Sequence, residues 1–204
     1  MMSKPTIDQA EHPHGLGGRV MGHLMAWLND DMNRHVLEQL DVRPGQRVLE
    51  VGFGPGRTLE RLAQRQTLVC GVDPSATMRS QASARNRAAL RAGAMELHQG
   101  TASALPYPDA YFDRACAINC YLFFADPDAD LRELRRVLRA DGRLVLGLRA
   151  REGGRGPFHR MGLTREELTS EVDRVERVGF SVRLDVTPVR FMTAACLIAD
   201  CTQR

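Results

Sequence analysis

The sequence predicts an α/β protein in which helices cover both faces of a mostly parallel sheet and the chain closes in an antiparallel hairpin. Three observations carry this. Short apolar runs alternate with segments whose apolar residues recur every three or four positions. The first of those runs leads straight into a glycine-rich turn. The last two follow one another with no helical segment between them. Alternation calls for parallel strands joined by helical crossovers, and the final pair calls for a hairpin.

Val20, Met21, Leu24, Met25, Leu28, Met32, Val36 and Leu40 share one helix face, but Asn29, Asp30 and Asp31 interrupt them with capping residues. Two consecutive helices, about 17–29 and 31–40, are therefore expected. They make residues 1–40 a short N-terminal helical lid before a domain at 41–204. After the turn Arg43-Pro44-Gly45-Gln46, strands are predicted over 47–51, 67–72, 96–99, 112–119 and 143–148. Helices are predicted over 58–65, 75–92, 128–138 and 164–178, and the hairpin strands over 180–187 and 190–198, joined near Pro188. The Gly153–Pro157 stretch, with Phe158, His159 and Met161, is a loop that folds over an acceptor or serves as a connector.

Composition bounds the function. The 204 residues fit one domain, and 28 basic against 25 acidic residues leave a net charge of +3 with no stripe of Lys and Arg, so no nucleic-acid partner is expected. The chain is 43% hydrophobic and 26% charged, and it has no run near the roughly 18–20 apolar residues of a membrane span, so no membrane insertion is expected. The five cysteines, Cys70, Cys116, Cys120, Cys196 and Cys201, are odd in number, lie mostly in apolar runs and match no zinc spacing. They read as reduced, buried thiols of a cytoplasmic protein without a metal site.

The chemistry begins at Val48–Val51, which runs into Gly52-Phe53-Gly54-Pro55-Gly56 and then into a helix. Glycine lets a ligand touch backbone that a Cβ would screen and accepts positive φ. The helix behind it offers unpaired N–H groups. The second strand ends at Asp73, about 20 residues after the first glycine, where a carboxylate accepts both hydroxyls of a ribose. An adenosine-containing ligand follows. The dinucleotide pattern would place its third glycine at Arg57, whereas this chain has it at Gly56. Glu50 adds negative charge beside the loop, which suits a cation better than a pyrophosphate.

At these residues the chain resembles the class I S-adenosylmethionine-dependent methyltransferases, over about residues 40–200. Glu50–Gly56 resembles their first motif and Gly71–Met78 their second. Leu105–Asp113 resembles the approach to their fourth strand, and Leu131–Arg143 the helix and turn before their fifth. The resemblance implies a Rossmann-like seven-stranded sheet and S-adenosyl-L-methionine as methyl donor, with S-adenosyl-L-homocysteine as product. It implies contacts from the loop Gly52, Phe53, Gly54 and Gly56 to the methionine part, with Glu50 ordering the loop or facing the cationic end. Asp73 would hold the ribose, and Pro74 or Met78 would flank the adenine. Where many relatives have Gly-Asp-Ala this chain has Gly100-Thr101-Ala102, so Thr101 replaces the acid and the backbone around Ala102 carries over.

Methyl transfer is an in-line displacement that depends on alignment and exclusion of water. The end of the fourth strand should face the cofactor, making Asn119 and Tyr121 candidates for the methionine end and the acceptor pocket. Tyr121, His12 and His14 are the candidate bases. Met21, Met25, Trp27 and Met32 form the packing face of the lid or an apolar wall for a hydrophobic acceptor. So short a chain leaves a small pocket for a small-molecule substrate, or one completed by a second subunit of a homodimer. The rival readings are an NAD(P)-dependent oxidoreductase, a non-catalytic S-adenosylmethionine-binding regulatory subunit, and an arsenite methyltransferase using Cys116 and Cys120.

Overall fold

A computed structural model describes residues 29–151 and 162–202. Residues 17–28 of the first predicted helix, with Met21, Met25 and Trp27, and likewise His12, His14 and the Gly153–Met161 loop, thus lie outside the described residues. The element order is α1 (Asp30–Leu40), β1 (Arg47–Val51), α2 (Arg57–Gln64), β2 (Leu68–Asp73), α3 (Ala76–Arg85), α4 (Arg87–Arg91) and β3 (Met95–Gln99). It continues with β4 (Phe112–Ile118), a 3-10 turn (Tyr121–Phe123), α5 (Pro127–Val137), β5 (Leu138–Ala150), α6 (Arg165–Arg177), β6 (Phe180–Val189) and β7 (Met192–Cys201). One seven-stranded sheet runs in the order β3-β2-β1-β4-β5-β7-β6. The pairs from β3 to β5 are parallel, and β7 is antiparallel to both β5 and β6.

Period-two alternation sorts each strand between two apolar layers. Leu49, Val51, Ala115, Ala117, Ala195 and Leu197 face a core completed by Leu131 and Leu134 of α5 and by Leu168 and Val175 of α6. Val48, Cys116, Ile118, Cys196 and Ile198 face the opposite core, under α1, α2 and α3. Met32, Val36, Leu37 and Leu40 are fully buried there, so α1 is part of the packing that covers the sheet. Arg114 and Arg143 fasten its end by donating to the carbonyls of Leu40 and Gln39.

Two predicted elements differ in extent. The helix expected over 75–92 breaks at Asn86, whose Nδ2 donates at 3.0 Å to the carbonyls of both Gly56 and Ala82. The fifth strand starts at Leu138, directly after α5, because Leu138 already pairs with Phe112 before the register shifts ahead of Arg114 and Arg143. The hairpin turns at Arg190 and Phe191, just beyond Pro188, with Val189 paired to Met192. No described helix is long and apolar enough to cross a membrane.

Candidate cofactor site

Strand order reverses between β1 and β4, so their carboxyl ends diverge and leave a crevice, the usual ligand position in such sheets. The Gly52–Gly56 loop forms one rim. Gly52, Gly54 and Gly56 have φ of 70°, 50° and 79°, where a Cβ is strained. Each serves a different need. A Cβ on Gly52 would lie 2.6 Å from Cβ and Sγ of Cys120, and one on Gly56 would lie 2.8 Å from Cβ of Ala82. At Gly54 nothing lies within 4 Å, so that glycine keeps space clear for something outside the fold.

Asp73 joins the second rim to the first. Its Oδ2 accepts from the Gly54 amide at 2.9 Å and its Oδ1 from the Ser75 amide at 2.8 Å. Its backbone carbonyl receives the Gly100 amide, which brings the Thr101–Ser103 loop alongside. Burial raises the pKa of Asp73 and the two amides oppose that shift. A carboxylate has about four lone-pair positions, so Asp73 retains capacity for two more donors.

The cleft encloses about 590 Å³, and Gly52, Gly54, Asp73, Pro74, Met78, Thr101, Ala102 and Asn119 all line it. Leu122, Phe123, Phe124, Ala125 and Asp130 complete its walls. An adjoining pocket of about 190 Å³, beneath the glycine loop, is lined by Glu50, Phe53, Arg57, Thr58 and Asn119 and bordered by Asn29 and Asn33. Here Glu50 Oε2 and Arg57 Nε are buried without a hydrogen-bond partner. Burial pushes Glu50 up to about 8, outweighing its interactions with Thr58 and the Leu59 backbone. A buried unpaired polar atom is costly and rare in native structures, although the Arg57 guanidinium is otherwise engaged, its Nη1 lying 3.4 Å from Asp30 Oδ1.

Most of the sequence-selected residues are thus brought together; Phe53, Tyr121 and Gly56, whose Cβ position faces Ala82 and Asn86, do not line the cleft. The ring of Phe53 packs beside Gly71, where a Cβ would come within 2.7 Å of it. Tyr121 is 1% exposed, donates to Glu171 Oε2 at 2.6 Å and packs edge-on against Phe124. Its hydroxyl is committed to α6, and burial with the neighbouring Glu171 carboxylate strongly raises its pKa. Thr101, in the position of the expected acid, shares a 2.7 Å hydrogen bond with Ser103. Cys120 lines the cleft with its thiol donating to the Val51 carbonyl, while Cys116 is fully buried beneath the sheet. Sequence reasoning did not select Ser75, Asn86 or Asp130. The caps expected of Ser before a helix could have found the first, since Ser75 accepts from Met78. Away from the cleft, His35, Asp185 and Cys196 converge, with His35 Nε2 at 2.6 Å from Asp185 Oδ2.

In its matched residues and in its fold the chain is similar to the class I S-adenosylmethionine-dependent methyltransferases. Residues 49–146, just under half of the chain, match the family described as Methyltransferase domain. An uncharacterized methyltransferase of Bacillus subtilis, YdaC, is 28% identical over 140 residues, 68% of this chain and 75% of its own. The methyltransferase GfsG of Streptomyces halstedii is 34% identical over 123 residues, but the match spans 60% of this chain and only 44% of GfsG. Among solved structures, the 1,6-didemethyltoxoflavin-N1-methyltransferase of Burkholderia thailandensis, with bound 1,6-didemethyltoxoflavin and S-adenosylhomocysteine, superposes with a TM-score of 0.72 at 19% identity. That match covers 100% of this chain and 92% of the other.

Proposed function

We propose that the protein transfers a methyl group from S-adenosyl-L-methionine to a small-molecule acceptor and releases S-adenosyl-L-homocysteine. The observation that carries this reading is the clamp of Asp73 on Gly54 and Ser75 at the mouth of the crevice. It leaves a carboxylate poised for a ribose beside a glycine whose Cβ position is open. The bound donor supplies a methyl group on a positively charged sulfur, which leaves as a neutral sulfide when an acceptor's lone pair attacks from the opposite side.

The chain's own residues hold that geometry. Asp73 fixes the ribose, Gly52 and Gly54 let the backbone approach, Gly56 lets the loop pack against α3, and Pro74, Met78, Thr101 and Ala102 border the adenine. Glu50 faces the ammonium, Arg57 the carboxylate, and Asn119 stands between cleft and pocket. Asn29 and Asn33 in the wall of the smaller pocket support a role for the N-terminal segment in bordering the methionine end of the donor. Leu122 and Phe123, 53% and 61% exposed at the cleft, suit an apolar acceptor of limited size. The Burkholderia enzyme holds a small heterocycle, and the absence of a basic stripe in the sequence agrees with that acceptor class. Five free thiols fit a reducing, cytoplasmic setting. The strand β7 between β5 and β6, with Glu50 under the loop, speaks against a dinucleotide oxidoreductase.

Binding decides between the readings. S-adenosylhomocysteine at a hundredfold excess over Kd should stabilise the protein by about 2.7 kcal/mol in thermal unfolding, and NADH should leave it unchanged. Release of S-adenosylhomocysteine from S-adenosylmethionine with a panel of small phenols, quinols and amines then reports turnover. Stabilisation by NADH alone would overturn the reading.

A further inference from the structure

His35, Asp185 and Cys196 come together where α1 crosses the closing hairpin, away from the cleft. Asp185 on β6 and Cys196 on β7 stand directly opposite one another in the antiparallel register, so their side chains share the sheet face that α1 covers. Gly147, the partner of Cys196 on β5, lets the helix approach, since a Cβ there would lie 2.7 Å from Cγ2 of Val36. His35, the residue before Val36, is thereby held over the pair, with Nε2 at 2.6 Å from Asp185 Oδ2. An imidazole nitrogen, a carboxylate oxygen and the Cys196 sulfur all lie within 4.8 Å of one another. No cysteine spacing announces this set, because His35 lies 150 residues before Asp185.

The three donors differ in kind, and that narrows the guest. Carboxylates alone would suit calcium or magnesium, which take oxygen ligands. Nitrogen, oxygen and sulfur together suit zinc, which takes all three. A thiolate and a carboxylate beside a neutral imidazole also balance the charge of a divalent ion. At tetrahedral zinc bond lengths nitrogen and oxygen ligands stand roughly 3.3 Å apart, so the His35–Asp185 contact would open by about 0.7 Å. The side chains of His35 and Asp185 are 13% and 25% exposed and can turn, while Cys196 is fully buried beneath them. The cluster is therefore walled below and open above, which leaves a fourth position for water. Supporting groups stand around it. Thr187 Oγ1 donates to Asp185 Oδ2 at 3.1 Å, and Glu38 Oε2 lies 3.9 Å from His35 Nδ1, on the side where a carboxylate orients a metal-binding imidazole. We propose that His35, Asp185 and Cys196 bind a zinc ion that fastens α1 to the β6–β7 hairpin. Since Asn29 and Asn33, at the start of that helix, border the smaller pocket, the ion would steady this wall from outside. The site stands apart from the cofactor reading and does not need it.

Cobalt is the probe, because a thiolate bound to it gives a charge-transfer band in the near ultraviolet and a tetrahedral site gives intense visible bands. The full chain, stripped with a chelator, should develop both on titration with Co2+ to a single equivalent, and zinc should displace them. Zinc at a hundredfold excess over its Kd should raise the unfolding temperature. Cys196→Ala should abolish the charge-transfer band, whereas Cys201→Ser, at the far end of β7, should leave it intact. Should Cys196→Ala not fold, His35→Gln and Asp185→Asn, at partly exposed positions, should each weaken zinc binding by at least about tenfold, with folding checked by circular dichroism. A band that survives in folded Cys196→Ala, or undiminished affinity in the His35 and Asp185 variants, would overturn the site. So would a native protein that shows neither the band nor stabilisation by zinc, which would leave the three side chains as a hydrogen-bonded pair beside a buried thiol.

Discussion

Around the ends of β1 and β4, three positive-φ glycines fall within five positions, and buried atoms of Glu50, Arg57 and Asp130 have no partner. Across β5, β7 and β6 several polar groups are instead joined to one another, Thr193 Oγ1 excepted. Arg143 holds Asp200 through bonds of 2.6 and 3.1 Å, and Thr187 donates to the Asp185 carboxylate that meets His35. Leu144, Leu146 and Leu197 are fully buried between these strands and the helices. Positive-φ glycines and unmatched polar atoms thus gather at the crevice, although Thr193 Oγ1 on β7 and Tyr107 Oη are also buried without a partner, and the strands beyond it supply stability that tolerates them.

The comparison can be broken most forcefully from the stable side. Leu197→Ala should cost about 2–5 kcal/mol in chemical unfolding, yet cofactor affinity at a temperature where the variant remains folded should be unchanged. Loss of affinity in step with stability would show that the halves are not separable. Next in size is Gly54→Val. Its Cβ meets open space, so destabilisation should stay near about 1–3 kcal/mol for the strained φ, while S-adenosylhomocysteine binding falls by about 100-fold or more.

A smaller effect sharpens the electrostatic side of the contrast. With Glu50 raised from 4.5 to about 8 in the folded protein, the unfolded chain releases this proton first, so the contribution of this group to stability declines as pH rises from 4.5 toward 8. A bound ammonium favours the ionised form, so binding below pH 8 should release a proton and tighten with pH, by up to about tenfold per unit. Glu50→Gln should flatten both profiles. Calorimetry in buffers of different ionisation enthalpy reads the proton directly, and an unchanged proton release in that variant would exclude Glu50 as its source.

How far the sequence was legible follows the same division. β1 stands where its apolar run predicted it, and the glycines and Asp73 were readable because their chemistry is local to strand ends. Asn86 was not, since a break in a continuous helical pattern depends on a hydrogen bond to Gly56, 30 residues earlier. Tyr121 illustrates the converse. Its position after β4 was foreseeable, but the direction of its hydroxyl is set by Glu171, 50 residues away on a helix packed across the core. Asp130 reads as one more acidic residue in a helix's first turns, and only tertiary burial distinguishes it from Asp128. His35 and Asp185, 150 residues apart, share no signal in the chain at all.

The position of β7 between β5 and β6 has a consequence in time as well as in space. β6 and β7 can pair with each other across a two-residue turn, a local event, but β7 alone joins that hairpin to the parallel strands. Until it docks, β5 presents an open, apolar edge of the kind that invites pairing with other chains. The sheet that carries the crevice is therefore exposed to misassembly until β7, the last strand of the sequence, is in place, and slowing that docking should raise aggregation during refolding before it alters the finished protein.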